Sequence, residues 1–163
     1  MRSLGLALIL TLAACSAPGS VPSPSPSAST RNLDCADAIE PIATPPAGYT
    51  EVLAAVAVNA NEQSEVSKGD EVYRLFAKTG LAVRAGQAST LSVTGRVAIL
   101  WGNGARPWAT TLKIPACPAK GGLDWLIYPG GFALDQPRCV PLIVQAGGER
   151  QAVPMPIGTT CPP

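Results

Sequence analysis

Five cysteines and no histidine define the chemistry available to this chain of 163 residues. Four of the cysteines, Cys35, Cys117, Cys139 and Cys161, are separated by 82, 22 and 22 residues. A zinc site needs closely spaced cysteine pairs or histidine ligands, and these spacings provide neither. An even number of widely spaced cysteines is typical of disulfide-bonded exported domains. We therefore predict two disulfides and no metal site.

The absence of histidine also excludes the commonest catalytic arrangements. Ser-His-Asp catalysis, Cys-His catalysis and most zinc hydrolase sites need an imidazole. The chain has no Gly-x-Ser-x-Gly elbow, no Walker loop and no Cys-x-x-Cys pair. The eleven acidic residues are scattered, and Asp124 and Asp135 fit turns better than catalysis. We predict a protein that is not an enzyme and uses no cofactor; a hydrolase with a two-carboxylate or Ser-Lys site is the alternative.

Aromatic residues are scarce, so each is a candidate for recognition. Trp101 ends an alternating strand and is predicted to lie in the core, and Trp125 is predicted to be half-buried. Trp108 stands at a strand entrance, and Tyr128 and Phe132 flank a Pro-Gly-Gly turn. Aromatic side chains provide large contact area at interfaces. We predict a binding surface formed by Trp108, Tyr128 and Phe132; the alternative is that these aromatics are tucked under turns.

Residues 59–71 are the most oxygen-rich stretch of the chain. Carboxylate and amide oxygens are the ligands that Ca²⁺ prefers, but the regular spacing of a calcium loop is missing. The pattern favours a solvated loop between two strands over a calcium site.

The N-terminus carries the most specific motif. Arg2 precedes an apolar run over residues 4–12, and small residues follow it, which is the order of a secretory signal. The run is shorter than the roughly 20 apolar residues that span a bilayer. Leu12-Ala13-Ala14-Cys15 resembles the lipobox of bacterial lipoproteins. The resemblance implies that residues 1–14 are a signal peptide, that Cys15 carries fatty acyl chains such as palmitate, and that the protein is anchored to the extracytoplasmic face of the cell membrane. An ordinary secretory signal is the alternative.

Two segments follow the predicted signal peptide. Residues 15–32 are rich in Ser and Pro and have too little apolar surface to fold, so we predict a lipidated stalk. Ser-Pro repeats favour polyproline II, which would give the stalk a reach of up to about 50 Å. Residues 33–163 have the size of one domain. The stalk and the Ala/Gly/Pro-rich composition resemble small lipoproteins of high-GC Gram-positive bacteria.

The domain is predicted to be all-β. About nine short segments alternate apolar and polar residues at intervals of 8 to 12 residues, and no amphipathic helix is evident. The predicted strands are 50–58, 71–78, 81–83, 91–93, 97–101, 108–114, 123–128 and a terminal hairpin of 140–144 with 151–157. One helical turn is predicted over 35–40. We predict an antiparallel β-sandwich; residues 80–93 resemble paired strands of immunoglobulin-like and cupredoxin-like domains, although without histidine no blue-copper site can form.

The terminal hairpin bears on the disulfide pairing. A turn at Gly147-Gly148 places Cys139 opposite about Pro156, five residues from Cys161. At about 3.3 Å per residue, that separation exceeds what a disulfide tolerates. We therefore favour Cys35 with Cys161 and Cys117 with Cys139, although a bulge or twist would still allow Cys139 to reach Cys161.

Charge narrows the choice of partner. The chain has 12 basic and 11 acidic residues and no basic stripe, which argues against nucleic acid. No polybasic segment adjoins Cys15, so the acyl chains provide the membrane attachment. We predict a monomeric, non-catalytic binding module for a protein or a cell-wall glycan. A structural envelope protein without a specific ligand is the alternative.

Overall fold

The computed structural model describes residues 29–103 and 107–162, so the predicted signal peptide, Cys15 and nearly all of the predicted stalk lie outside the described residues. The described part is all-β, with fourteen strands and one 3-10 turn, Cys35–Asp37. The strands are β1 (Thr30–Asn32), β2 (Glu40–Ile42), β3 (Thr50–Val52), β4 (Val56–Val58), β5 (Ser67–Lys68), β6 (Leu75–Lys78), β7 (Leu81–Arg84), β8 (Ser89–Ser92), β9 (Val97–Trp101), β10 (Thr111–Ile114), β11 (Trp125–Tyr128), β12 (Gly130–Leu134), β13 (Arg138–Ala146) and β14 (Glu149–Ile157).

The strands form three sheets in a sandwich-like arrangement. Sheet A has the order β1-β10-β8-β13-β14, sheet B the order β2-β11-β7-β4-β3, and sheet C the order β5-β6-β12-β9. All pairings between these strands are antiparallel except that of β1 with β10. Side chains from all three sheets meet in one apolar core. These strand orders establish the predicted all-β sandwich, whereas its likeness to immunoglobulin domains stays a prediction.

Sheets B and C are joined by two chain segments that run side by side. The segment β6–β7 passes from sheet C to sheet B through Thr79-Gly80, and β11–β12 returns through Pro129. The N–H of Thr79 donates to the carbonyl of Gly130 at this crossing. A Cβ on Gly131 would lie 1.9 Å from the carbonyl oxygen of Ala77. Glycine is therefore required here because the two backbones approach closely.

The predicted strand over residues 50–58 is wrong, because the segment is a hairpin of β3 and β4. Leu53 and Ala54 have φ angles of 52° and 48°. The N–H of Ala55 donates to the carbonyl of Val52 over 3.1 Å. Two consecutive residues with positive φ make the kind of turn that matches the twist of a hairpin. Neither residue is the Gly, Asn or Asp that usually marks such a turn, which is why the sequence pattern concealed it.

The prediction of two disulfides is confirmed, but the favoured pairing of Cys35 with Cys161 and Cys117 with Cys139 is wrong. Cys35 bonds to Cys117, and their Cα atoms are 5.4 Å apart. In the parallel pair of β1 and β10, Asn32 lies opposite Lys113. Both chains leave this pair in the same direction, so the two cysteines a few residues further on meet.

The second disulfide joins Cys139 to Cys161, with Cα atoms 5.0 Å apart. Cys139 does lie opposite Pro156, as the hairpin register predicted. The chain does not continue straight, however, because Gly158 adopts a φ of 66° and its N–H donates to the carbonyl of Ser64. This turn brings Cys161 back to Cys139. The register was correct, and the assumption of an extended tail was the error.

The folded part also begins earlier than residue 33. Strand β1 starts at Thr30, and Ser29 is already fixed by its neighbours, since its carbonyl accepts the N–H groups of Thr110 and Thr111. Residues 30–32, predicted as the end of the stalk, therefore belong to sheet A. Within the described ranges, no helix has the length and apolar character needed to cross a membrane.

Candidate binding surface

Tyr128 and Phe132, two of the three predicted surface aromatics, are fully buried. Phe132 packs edge-to-face against Trp101, with 5.3 Å between the ring centroids. The prediction that these two residues form an exposed loop is therefore wrong. The Pro-Gly-Gly segment between them is the crossing from sheet B to sheet C, so both flanking side chains point into the core. Trp101, predicted as core, is buried, and Trp125, predicted as half-buried, is buried almost completely.

Trp108 is half-buried and lies on the outer face of sheet C. The predicted strand 108–114 begins only at Thr111, so Trp108 is part of the connection between β9 and β10. Ala109 pairs with Ile99 of sheet C, and the chain then crosses to sheet A. Because of this crossing, Trp108 lies on sheet C, whereas Leu112 belongs to β10 of sheet A.

The indole of Trp108 packs against two other aromatic rings. Its centroid is 6.0 Å from that of Tyr73, at an interplanar angle of 74°, and 5.7 Å from that of Phe76. Beneath them, Ala98 and Ala133 are paired across β9 and β12, and Phe76 continues the same row on β6. Two methyl side chains at the centre of a sheet leave room above them. Tyr73 and Trp108 occupy that room.

A single carboxylate orients the indole. Asp70 accepts hydrogen bonds from the backbone N–H groups of Val72 (2.9 Å) and Tyr73 (2.8 Å) and from Nε1 of Trp108 (2.7 Å). The bond from Trp108, followed by that from the Tyr73 backbone, lowers the pKa of Asp70 below 3.8. A carboxylate with a lowered pKa is ionised at neutral pH and is a poor general acid. Asp70 therefore holds the loop and the tryptophan together.

Val72 also belongs to this patch. It is one of the two large apolar side chains that are widely exposed among the described residues. It is 62% exposed, and the other, Ile39, is 58% exposed on a different part of the molecule. The backbone N–H of Val72 and the indole N–H of Trp108 donate to the same carboxylate, so the backbone of Val72 lies close to the indole. We refer to Asp70, Val72, Tyr73, Phe76 and Trp108 together as the Trp108 surface.

A charged pair borders the Trp108 surface. Nε of Arg96 donates to the carboxylate of Asp135. This bond lowers the pKa of Asp135, and the backbone N–H of Arg74 and the positive charge of its side chain act in the same direction. Burial raises the pKa of the Tyr73 phenol, which also responds to the charges of Arg96 and Asp135. The Arg96–Asp135 ion pair therefore lies close enough to Tyr73 for its charges to act on the phenol.

The oxygen-rich segment 59–71 connects sheets B and C. Asn61 donates to the carbonyl of Gly48 and to Oγ1 of Thr50, each at 3.1 Å, and Asn59 donates to Glu62. These groups serve the loop's own hydrogen bonds. Across residues 29–103 and 107–162, no three Asp, Glu, Cys or His side chains are grouped as metal ligands.

A buried polar cluster lies near the first disulfide. Burial, followed by the nearby charges of Asp37 and Asp34, raises the pKa of Tyr128 to about 12. The hydroxyl of Tyr128 points to Sγ of Cys117 at 3.5 Å. A phenol with this pKa stays protonated at neutral pH, so it is not poised as a nucleophile or base.

Most of the Trp108 surface was not predicted from the sequence. Only Trp108 was identified, although an Asp such as Asp70, whose carboxylate accepts the N–H groups two and three residues later, is a recognisable turn signal. The predicted strand over 71–78 would place Tyr73 and Phe76 on opposite faces. In the structure β6 starts at Leu75, so Tyr73 belongs to the preceding loop. Comparison with protein-family models, curated proteins and solved structures found no match for this chain.

Proposed function

We propose that this protein is a lipoprotein, anchored to the extracytoplasmic face of the membrane through Cys15, whose domain is a non-catalytic binding module. The Trp108 surface is its contact site for a protein or a cell-wall glycan. The lipobox resemblance of residues 12–15 supports the anchor. The two disulfides are compatible with an oxidising compartment.

The observation that carries the binding role is a partly exposed tryptophan held in one orientation. The indole N–H is fixed by Asp70, and the ring rests on Tyr73 and Phe76 above a rigid sheet. A side chain that is already ordered loses little entropy when a ligand stacks on it. Aromatic side chains presented in this way are the residues that dominate binding energies at interfaces.

Hydrolysis is the alternative that the site supports less well. Asp70 and Asp135 have lowered pKa values, whereas a general acid needs a raised one. Both carboxylates are committed to hydrogen bonds that hold loops in place. The arrangement is suited to presenting a surface.

The anchor is tested by substituting the lipidated cysteine. Cys15→Ser removes the site of acylation, so the protein should appear in the medium instead of the membrane fraction. Incorporation of labelled fatty acid by the wild type, and its loss in the variant, checks the cause. A Cys15→Ser protein that stays in the membrane fraction, together with an unlabelled wild type, would show that the anchor is not a lipid on Cys15.

The binding surface is tested with two exposed apolar residues. In the full chain released by Cys15→Ser, Val72→Ser should weaken binding to isolated cell-wall material and intact cells by about fivefold or more, as removal of an interface contact does. Ile39→Ser is the matched control, because its side chain is similarly exposed but lies beside β11 of sheet B, where its N–H donates to the carbonyl of Ile127. Trp108→Ala should have the larger effect. Equal binding by the wild type, Val72→Ser and Trp108→Ala would refute this surface as the site.

A further inference from the structure

A groove next to the Trp108 surface concentrates positive charge. Two adjoining cavities of about 340 and 580 Å³ share Asp135 and Gln136 as lining residues. Basic side chains come to their walls from three separate parts of the chain. They are Lys68 of β5, Arg74 before β6, Arg96 before β9 and Arg138 of β13. We refer to these four residues together as the basic groove.

The two cavities of the basic groove are lined by more cationic side chains than carboxylates. Among the described residues, Asp135 is the one carboxylate that lines either cavity, and it accepts hydrogen bonds from Nε of Arg96 and the backbone N–H of Arg74. The side chains of Lys68, Arg74 and Arg138 are all exposed. Their charges therefore remain available to an anion from solution.

The floor of the groove is apolar. Val66, Leu75 and Pro137 line the larger cavity between the cationic walls. Their position is fixed by the turn at Gly158, where a Cβ would lie 2.9 Å from Val66 and 3.0 Å from Pro137. The disulfide from Cys139 to Cys161 closes the same turn. The turn and the disulfide thus hold one side of an open, shallow groove in place.

The basic groove and the Trp108 surface meet at Tyr73 and Arg96. Arg96 and Asp135 stand two residues from Ala98 and Ala133, the paired alanines beneath Trp108, so they lie on the same face of sheet C. Tyr73 contacts Trp108 and is followed directly by Arg74, which lines the larger cavity. A ligand that lies across both regions would meet aromatic rings at one end and cations at the other. Aromatic faces stack on sugar rings, and guanidinium groups pair with carboxylates or phosphates.

We propose that the ligand is an acidic glycan, a sugar polymer with repeated carboxylate or phosphate groups, whose anionic groups lie in the basic groove while a sugar ring stacks on Trp108. This inference rests on the proposed binding function and names its ligand class. A phosphatidylglycerol surface fits less well, because its headgroups carry no sugar ring that could stack on Trp108.

The test measures binding of the full chain carrying Cys15→Ser to defined polymers. The probes are polygalacturonate, a phosphorylated mannan, neutral dextran and phosphatidylglycerol vesicles. The two acidic polymers should bind and dextran should not. Raising the salt toward about 1 M, where the Debye length falls to about 3 Å, should weaken binding strongly.

Charge removal in the groove is compared with charge removal elsewhere. Arg74→Gln with Arg138→Gln should weaken acidic-polymer binding by about tenfold, because two charge-assisted contacts are lost. Lys113→Gln with Arg150→Gln is the matched control, since these two cations line a separate cavity of about 470 Å³ beside the β13–β14 turn. Equal losses in both double variants, or binding to the vesicles but to neither polymer, would overturn the inference.

The outcomes also separate this inference from the proposed function. If Val72→Ser weakens binding to cell-wall material but the groove variant does not, the binding module stands and the acidic-glycan inference fails. If the groove variant alone weakens polymer binding, the groove binds the polymer through charge, and both the Trp108 contact site and the stacking of a sugar ring on it are overturned.

Discussion

Two tryptophans cover the outer faces of neighbouring sheets in different ways. Trp125 covers sheet B, where Ala57 and Ala82 are paired across β4 and β7. Trp108 covers sheet C, where Ala98 and Ala133 are paired across β9 and β12. In both places a pair of small side chains leaves space that an indole fills. The same packing requirement therefore applies to the outer faces of sheets B and C.

The two indoles differ in their origin and in their exposure. Trp125 belongs to β11, a strand of the sheet that it covers, and is 3% exposed. The guanidinium of Arg84, its cross-strand neighbour, lies 5.6 Å from the ring. Trp108 lies on the connection between β9 and β10, outside the sheet, and is half-buried. A hydrogen bond to Asp70 fixes the orientation of its indole.

This difference separates a structural aromatic from one available for recognition. A tryptophan within a strand is placed by the strand's own hydrogen bonds, and its neighbours close over it. A tryptophan on a connection needs a separate hydrogen bond for its orientation, and part of its ring stays open to solvent. The open ring is what a ligand can use.

The largest expected effect is on stability, and it should be unequal for the two residues. Trp125→Ala should lower the free energy of unfolding by about 3 to 5 kcal/mol, the usual cost of truncating a buried tryptophan. Trp108→Ala should cost about 1 to 2 kcal/mol, because part of its surface is already in water. Urea unfolding of the full Cys15→Ser chain, followed by far-ultraviolet circular dichroism, measures both. Equal losses would mean that Trp108 is as much a core residue as Trp125, and the comparison would fail.

A smaller effect is expected from the carboxylate that holds Trp108. The folded-state pKa of Asp70 is lowered, so its contribution to stability is present above its unfolded value of about 3.8 and is lost as the pH falls through the lower folded-state value. Asp70→Asn should cost less than about 1 kcal/mol at neutral pH, since the group is exposed and screened.

The indole N–H resonance of Trp108 reports this titration directly. In the wild type it should shift with a midpoint below pH 3.8, and in Asp70→Asn this titration should be absent. The resonances of Trp101 and Trp125 serve as internal controls, because Trp101 donates to the carbonyl of Thr79 and neither indole contacts Asp70. A Trp108 resonance that titrates identically in both proteins would contradict the proposed role of Asp70.

Local patterns predicted some elements accurately. The terminal hairpin turns at Gly147-Gly148 with Cys139 opposite Pro156, because glycine pairs and alternating residues determine a hairpin through neighbours in sequence. The helical turn at Cys35 and the buried position of Trp101 follow from equally local rules. The all-β class could also be read from the period-2 alternation.

Contacts between residues far apart in sequence determined the turns, the burial and the surface that sequence patterns did not predict. Thr50–Val58 reads as one strand, but it folds back because Leu53 and Ala54 accept positive φ within the finished sheet. Tyr128 and Phe132 flank an apparent turn, yet the sheet-to-sheet crossing buries both. The binding surface was missed for the same reason, since Asp70 and Trp108 are 38 residues apart and no local pattern links them.

The sequence by itself determined the class of fold, the number of disulfides and the N-terminal motif, because each depends on composition or on neighbouring residues. The tertiary structure alone decided the disulfide pairing, through the parallel contact of β1 with β10 and the turn at Gly158. It also decided that Trp108 stays at the surface while Tyr128 and Phe132 do not. These outcomes depend on where the chain crosses between sheets, and a crossing is determined by packing between residues that are far apart in sequence.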